Sequence, residues 1–471
     1  MSSLRFGTSG LRGLVEDLVG WPSYAHTLAF LTSAGKPTRG QPLLIGRDLR
    51  ASSPAIAAAV AAAARDAGVR ALDCGPLPTP ALALESLRLG APAVMVTGSH
   101  IPEDRNGLKF YTAAGEITKA DETAILAALP ATRTVDLSAE AELYPEALQN
   151  YRNRCVEAFG PEALAGLRVG VYQQSSVARD LLVDILAALG AEPVPFGRAD
   201  RFIPVDTEAH RPEDLDILRQ TAARDGRLDA IVTTDGDADR PLLADGAGTV
   251  LRGDVLCLMA ARELGITAVA VPVTAGSAVE RCGFARVVRT RVGSPYVIAG
   301  MGDAARETGT RVAGFEANGG FLLGSDVVRN GRTITALPTR DSALPVLATL
   351  AACRTSGQPL AALVTALGAG FAASNRLKDV APEQSGPFMT ALGDEDVRTR
   401  FFAPIGAVAG VDTRDGVKAE FNNGATIHFR VSGNAPELRC YAEAETAEEA
   451  ERLVAWGLEA AAATMHSAAV S

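Results

Sequence analysis

Ser99 lies in Val96-Thr97-Gly98-Ser99-His100-Ile101-Pro102, where the apolar run Pro92 to Val96 breaks into a glycine-containing loop. Further along, the apolar run Leu228 to Thr234 opens into Asp235-Gly236-Asp237-Ala238-Asp239-Arg240. Carboxylates at alternate positions of a tight loop suit one small hard cation. A serine hydroxyl is a weak nucleophile, and carrying a phosphoryl group requires activation and charge neutralisation. A phosphate monoester brings close to two negative charges at neutral pH, which a divalent cation can offset. Together the serine and the acidic loop point to phosphoryl transfer; neither does so alone. A calcium-binding EF-hand is excluded, because that loop needs a bidentate Glu at its twelfth position. Here that position is Gly246, and Pro241 follows Arg240.

With these residues in view, the chain resembles the α-D-phosphohexomutases, the family of phosphomannomutases, phosphoglucomutases and phosphoglucosamine mutases. Four signatures stand in the family's order: Gly7-Thr8-Ser9-Gly10-Leu11-Arg12-Gly13, Thr97 to Pro102, Asp235 to Arg240, and Arg430-Val431-Ser432-Gly433-Asn434-Ala435-Pro436. A fifth, Gly314-Phe315-Glu316-Ala317-Asn318-Gly319-Gly320, matches in position with altered residues. The resemblance spans nearly the whole chain.

The resemblance implies a cycle in which phosphoserine 99 gives its phosphoryl to one end of a hexose monophosphate. The resulting hexose 1,6-bisphosphate, intermediate and activator, turns over in the cleft and returns the other phosphate. One Mg2+ per chain would sit on Asp235, Asp237 and Asp239 against Ser99. Arg12, Lys109 and Arg240 would be the catalytic cations, with Lys109 the candidate acid for the Ser99 oxygen and His100 beside the nucleophile. Glu316 and Asn318 would take the sugar, and Ser294 would belong to a specificity loop with Arg291 and Tyr296. Arg430, Ser432, Gly433 and Asn434, supported by Arg439, would clamp the phosphate that is not reacting. Guanidinium and backbone N–H groups give such a clamp both charge and geometry.

Departures from the family matter too. Ile101 stands where many members have Asn. Gly320 stands where many bacterial phosphomannomutases have His, and the loop Val292-Gly293-Ser294-Pro295-Tyr296 lacks a second His. The general base is therefore not assigned. Mannose phosphate is the first substrate choice, glucose and glucosamine phosphates the alternatives. A metal-dependent sugar phosphatase and a non-catalytic sugar-phosphate binder are the rival classes.

The elements that must position these groups are legible in the hydrophobic pattern. Residues 42 to 97 alternate strand and helix: Leu43 to Ile45, a helix from Ser52 to Gly68 with Pro54 in its first turn, Val69 to Asp73, a helix Thr79 to Leu89, and Ala93 to Val96. Such alternation predicts a parallel or mixed sheet covered by helices, with ligands at the carboxyl ends of strands, where Ser99 falls. The pattern recurs over Leu167 to Thr234 and over Gly253 to Gly314. The tail differs: Ala407 to Val411, Val417 to Phe421, Thr426 to Val431 and Leu438 to Ala444 alternate like antiparallel strands. Asn422-Asn423-Gly424 makes a hairpin turn there, and an amphipathic helix from Thr446 to about Met465 closes the chain.

The fold expected is α/β, with three α/β units of mixed sheet and a C-terminal α+β domain with an antiparallel sheet. The resemblance implies four domains around a central cleft: 1–143 with the phosphoserine loop, 144–250 with the metal loop, 251–368 with the sugar loop and 369–471 with the phosphate loop. At 471 residues the length suits about three or four domains. A net charge of −10 without a basic block argues against nucleic-acid and anionic-membrane partners. Sugar phosphates are the expected partners, to a monomer or homodimer. Six cysteines without a C-x-x-C pair predict reduced thiols. With Gly7-Thr8-Ser9-Gly10 so near the start and the alanine run Ala55 to Ala64 too short to span a bilayer, a cytoplasmic enzyme is expected.

Overall fold

Pro54 in its first turn and Gly68 in the left-handed region (φ 70°) just past its end bound the helix Ser53–Asp66, which connects two parallel strands. Leu43–Arg47 lies between Ala71–Pro76 and Ala93–Val96, all three parallel. The chain then turns back through residues 97–104 into Arg105–Thr112, antiparallel to Ala93–Val96, with Lys109 opposite Met95. That reversal returns Lys109 to the loop that carries Ser99. The computed structural model describes residues 2–7, 10–38, 40–306, 309–432 and 436–468.

The same device occurs twice more. Ala230–Thr234 runs parallel to Arg168–Gln174, and the acidic loop is the turn into antiparallel Pro241–Asp245, with Thr234 opposite Pro241. Val312–Phe315 runs parallel to Ala268–Pro272, and residues 316–320 turn into antiparallel Phe321–Leu323, with Phe315 opposite Phe321. Three mixed sheets thus each offer one loop, at the carboxyl end of a parallel strand. Beyond a two-stranded hairpin, Val327–Arg329 with Arg332–Ile334, the sheet of the fourth unit is wholly antiparallel, ordered Phe371–Lys378, Glu437–Ala444, Thr426–Val431, Val417–Phe421, Val408–Asp412. Helix Ala447–Ala468 covers it.

The cores follow the same division. One apolar cluster runs from Leu44 to Ala369 through all three mixed-sheet units. The antiparallel unit has its own cluster, from Val380 to Met465. All six cysteines are free. Among the described residues no helix is long and apolar enough to cross a membrane.

The serine loop is held by an arginine that lies outside every sequence motif. Arg50 is 1% exposed and donates to the carbonyls of Ser99 (3.0 Å), Ile101 (2.6 Å), Pro102 (2.7 Å) and Arg105 (3.1 Å). Its Nε donates to Asp48 Oδ2 at 3.1 Å, and Asp48 also accepts from Thr97 Oγ1 and the Gly98 N–H. Removing one partner of a buried pair strands the other charge, at roughly 3–5 kcal/mol. Arg50→Met is therefore expected to lower the stability by that order, measured by urea denaturation. A surface-like loss of a few tenths would show that the loop is held by something else.

Candidate active site

Ser99 has φ 55°, a left-handed conformation uncommon for a residue with a side chain. It is held there by Arg50 on its carbonyl and by its own N–H donating to Thr97 Oγ1 at 2.8 Å. Its hydroxyl is thereby aimed across the unit boundary and donates to Asp235 Oδ2 at 2.5 Å. The serine loop and the acidic loop, remote in sequence, are in direct contact.

The acidic loop is built like a cation cradle. Asp235 Oδ1 accepts from the Asp239 and Arg240 N–H groups, both at 3.2 Å. Asp237 Oδ2 accepts from Lys109 Nζ and Thr79 Oγ1, both at 2.5 Å. Asp239 Oδ2 accepts from Lys109 Nζ at 2.6 Å and from Arg340 Nη2 at 2.7 Å. One oxygen from each of the three buried carboxylates lies within 4.8 Å of the others. Two oxygens, Asp237 Oδ1 and Asp239 Oδ1, are buried and accept no hydrogen bond. Leaving buried acceptors unpaired costs about 1–3 kcal/mol each, which a bound cation would offset. An all-carboxylate donor set fits a hard divalent ion rather than a soft one.

Electrostatics tell the same story. Burial, then Asp237 and Asp239, push the Asp235 carboxyl well above the usual carboxylate range. Burial also opposes ionisation of Asp239, yet Arg340, Lys109 and Arg240 hold it well below that range. Arg12 is lowered to about 10 by burial and by Arg240, and so remains a cation. His100 is pushed down to about 3 by burial and Arg240. Its Nδ1 accepts from Arg240 Nη1 at 2.9 Å and lies 3.2 Å from Ser99 Oγ. The neutral ring therefore has its lone pair occupied by Arg240.

A cleft of about 480 Å³ opens beside this centre. Arg12, His100, Arg240, Glu316 and Asn318 line it from the first three units. Arg430, Ser432 and Arg439 line it from the fourth. In the sheet of that unit Arg376, Arg439 and Arg430 are opposite one another across three neighbouring strands. Like charges directly opposite are destabilising. Glu437 lies 3.3 Å from Arg376 and 3.4 Å from Arg439, and Asp415 3.0 Å from Arg430. Arg439 Nε is buried with no acceptor. The row is thus suited to a multi-oxygen anion.

The structure gathers Ser99, Lys109, His100, Arg240 and the three aspartates into one centre, with Arg12, Glu316, Asn318, Arg430, Ser432 and Arg439 around the cleft. Ser294 is an exception, as are Arg291 and Tyr296 of the same loop, which do not line the cleft. Ser294 begins the helix Ser294–Ala304, is fully buried, and donates its hydroxyl to Glu116 Oε2 at 3.1 Å. Val292 and Gly293, just before it, line the cleft instead. The Gly433 and Asn434 expectations lie outside the described residues, as do Thr8 and Ser9. Arg50, Thr79, Arg340, Arg376 and Asp415 are additions that only the structure supplies. None sits in a recognisable motif; for two of them the nearest signal is a single glycine packed against the side chain, Gly98 against Arg50 and Gly320 against Arg340.

Known proteins agree with this architecture. Models of the phosphoglucomutase/phosphomannomutase alpha/beta/alpha domains I, II and III match residues 3–135, 142–248 and 253–370, and the model of the C-terminal domain matches 376–456. A phosphomannomutase of Sinorhizobium fredii is 46% identical over 96% of this chain and 98% of its own length. One of Salmonella muenchen is 43% identical over 96% and 94%. The crystal structure of a putative phosphomannomutase from Thermus thermophilus shares the fold, with a TM-score of 0.75 at 24% identity over 97% of this chain and 99% of that one.

Proposed function

The chain belongs to the phosphoglucomutase/phosphomannomutase family and is an isomerase of hexose phosphates, and on that premise we propose that it interconverts hexose 6-phosphate and hexose 1-phosphate through phosphoserine 99. Mannose phosphate is the preferred substrate in this reading, supported by the two phosphomannomutase relatives above 40% identity. The observation that carries the mechanism is Ser99 Oγ at 2.5 Å from Asp235 Oδ2, inside a buried three-carboxylate loop.

Asp235, Asp237 and Asp239 would hold one Mg2+ per chain, which when bound supplies Lewis-acid stabilisation to phosphoryl oxygens. Ser99 accepts and gives up the phosphoryl group. When the phosphoryl passes from Ser99 to a sugar hydroxyl, that hydroxyl gives up a proton and the serine oxygen gains one, and Lys109, whose Nζ donates to Asp237 and Asp239 of the acidic loop, is the candidate donor to the serine. Arg12 and Arg240 offset the charge of the phosphoryl in flight. Glu316 and Asn318 accept and donate to the sugar hydroxyls. Arg430, Ser432, Gly433 and Asn434, supported by Arg439, hold the phosphate that is not reacting. Hexose 1,6-bisphosphate is the intermediate, and because both its ends carry phosphate the same clamp serves both halves of the cycle. The fourth unit, with its own core, closes over the cleft and excludes water, which directs transfer to sugar rather than to hydrolysis. We take the four units to divide near residues 143, 250 and 368, and the buried free thiols to suit a reducing cytoplasm.

Coupled assays with mannose, glucose and glucosamine 1-phosphates side by side test this reading. Isomerisation is expected with mannose fastest and glucose next. Release of free phosphate without isomerisation would replace it with a phosphatase.

A further inference from the structure

We propose that Arg340 is a positioning residue of this reaction: its guanidinium fixes Glu316 of the sugar loop to Asp239 of the acidic loop, in the space that Gly320 leaves open. The inference rests on the hexose phosphate reading of the site and adds to it a group that none of the motifs contains.

Arg340 is on the strand Leu337–Asp341, which pairs with Phe321–Leu323, the strand that leaves the sugar loop. It is 2% exposed and lines the cleft. Nε and Nη2 both donate to Asp239 Oδ2, at 3.0 and 2.7 Å, and Nη1 donates to Glu316 Oε2 at 3.3 Å. One rigid fork therefore joins two loops that belong to different sheets. Lysine would not reproduce this geometry, because its ammonium gathers all its donors at one point and lacks a planar fork.

Gly320 explains how the fork fits. A Cβ at that position would lie 2.6 Å from Arg340 Cδ and 2.7 Å from Cγ. Those are mid-chain carbons of a side chain tied at its far end, so they cannot swing away without breaking the contacts to Asp239 or Glu316. A larger residue at 320 and this arginine exclude one another. The space beside Gly320 is thus filled by a permanent cation reaching in from the neighbouring strand. Such a group cannot deprotonate a sugar hydroxyl, but it can hold Glu316 at a fixed place and keep positive charge beside the transfer site.

The test is Arg340→Met, which keeps an unbranched apolar stem without the fork, assayed beside Arg340→Lys, Gly320→Ala and the double variant Gly320→Ala/Arg340→Met. The native chain is assayed in the same series. Arg340→Met is expected to lower kcat about 10²–10³-fold. The ratio of mannose to glucose turnover should change as well, because Glu316 is freed. Added guanidinium ion should restore at least about tenfold in Arg340→Met and nothing in the native chain. Arg340→Lys should recover less than about a tenth of the native rate. Gly320→Ala should be costly alone and nearly neutral when Arg340→Met is already present, a coupling that marks direct contact. Unchanged kcat and sugar ratio in a folded Arg340→Met, or guanidinium without effect, would overturn the proposal while leaving the mutase reading intact. Absence of isomerisation in the native chain would remove both.

Discussion

Ser99→Ala is expected to abolish interconversion, with turnover reduced by at least about 10⁴-fold, as when a covalent nucleophile is removed. Intact-mass measurement should lose the one-phosphate increment that maps to the tryptic peptide containing Ser99 in the native chain. The prediction is specific because the loop does not depend on the serine hydroxyl for its shape. Arg50 holds the Ser99, Ile101, Pro102 and Arg105 carbonyls, and Asp48 holds Thr97 and Gly98. What the substitution removes is one donor to Asp235 Oδ2, a loss of about 1–3 kcal/mol in stability. Ser99→Gly is the control for the left-handed backbone, since glycine adopts φ 55° without strain. Both variants should be equally inactive if the hydroxyl is what matters. Turnover retained in either, or a phosphate still present in Ser99→Ala, would move the phosphoryl carrier elsewhere.

Much of this centre is legible in the sequence, because the residues that meet there sit in short contiguous motifs at the ends of apolar runs. Ser99, Asp235 and Glu316 each follow a strand predicted from its apolar run, and each strand is present: Ala93–Val96, Ala230–Thr234 and Val312–Phe315. The helix Thr79–Leu89 and the tail strands Val417–Phe421 and Thr426–Val431 also match. What cannot be read is contact between units. Thr79 opens an ordinary helix, and only the fold turns its hydroxyl onto Asp237. Phe371–Lys378 escapes the pattern because it is an edge strand whose residues are half or fully exposed and so lack a clean alternation. With it goes Arg376, the outer member of the arginine row. Ser294 departs from expectation for a different reason. Its loop does reach the cleft, but Ser294 is the first helical residue, and the turn there swings its side chain toward Glu116.

The recurrence of one hairpin in three sheets explains why such distant residues converge. A parallel strand delivers its carboxyl end to the centre, the loop presents one or more side chains, and an antiparallel strand leads away. In the first unit that returning strand also carries Lys109, and in the third the strand beyond it carries Arg340. Both cations end on Asp239 Oδ2. The acidic loop is therefore gripped from both sides by neighbours in addition to its own backbone hydrogen bonds, and its geometry depends on all three sheets being docked. The continuous apolar core from Leu44 to Ala369 supplies that docking.

The second large effect concerns the acidic loop itself. Asp237→Asn keeps the side-chain shape and removes one of three crowded charges. It should cut turnover by about 10³-fold, the equivalent of several kcal/mol of lost charge stabilisation at about 1.36 kcal/mol per tenfold. A second readout does not depend on catalysis. Ligand that binds only the folded state stabilises it by mass action, about 2.7 kcal/mol at roughly a hundredfold excess over Kd. The unfolding midpoint of the native chain should therefore climb as magnesium is titrated in after chelation, and that of Asp237→Asn should stay nearly flat. The physical reason is Asp237 Oδ1, buried and accepting nothing, which an amide replaces with a weaker neutral ligand or a misplaced NH₂. Asp237 Oδ2 is different: it accepts from Lys109 and Thr79, so the variant also loses a carboxylate that holds the lysine. Thr79→Val separates the two roles, because it removes one hydrogen bond to Oδ2 and leaves the charge. It should keep the magnesium response and lose turnover only modestly. A magnesium response undiminished in Asp237→Asn, with near-native rates at saturating ion, would mean that this loop does not bind the cation.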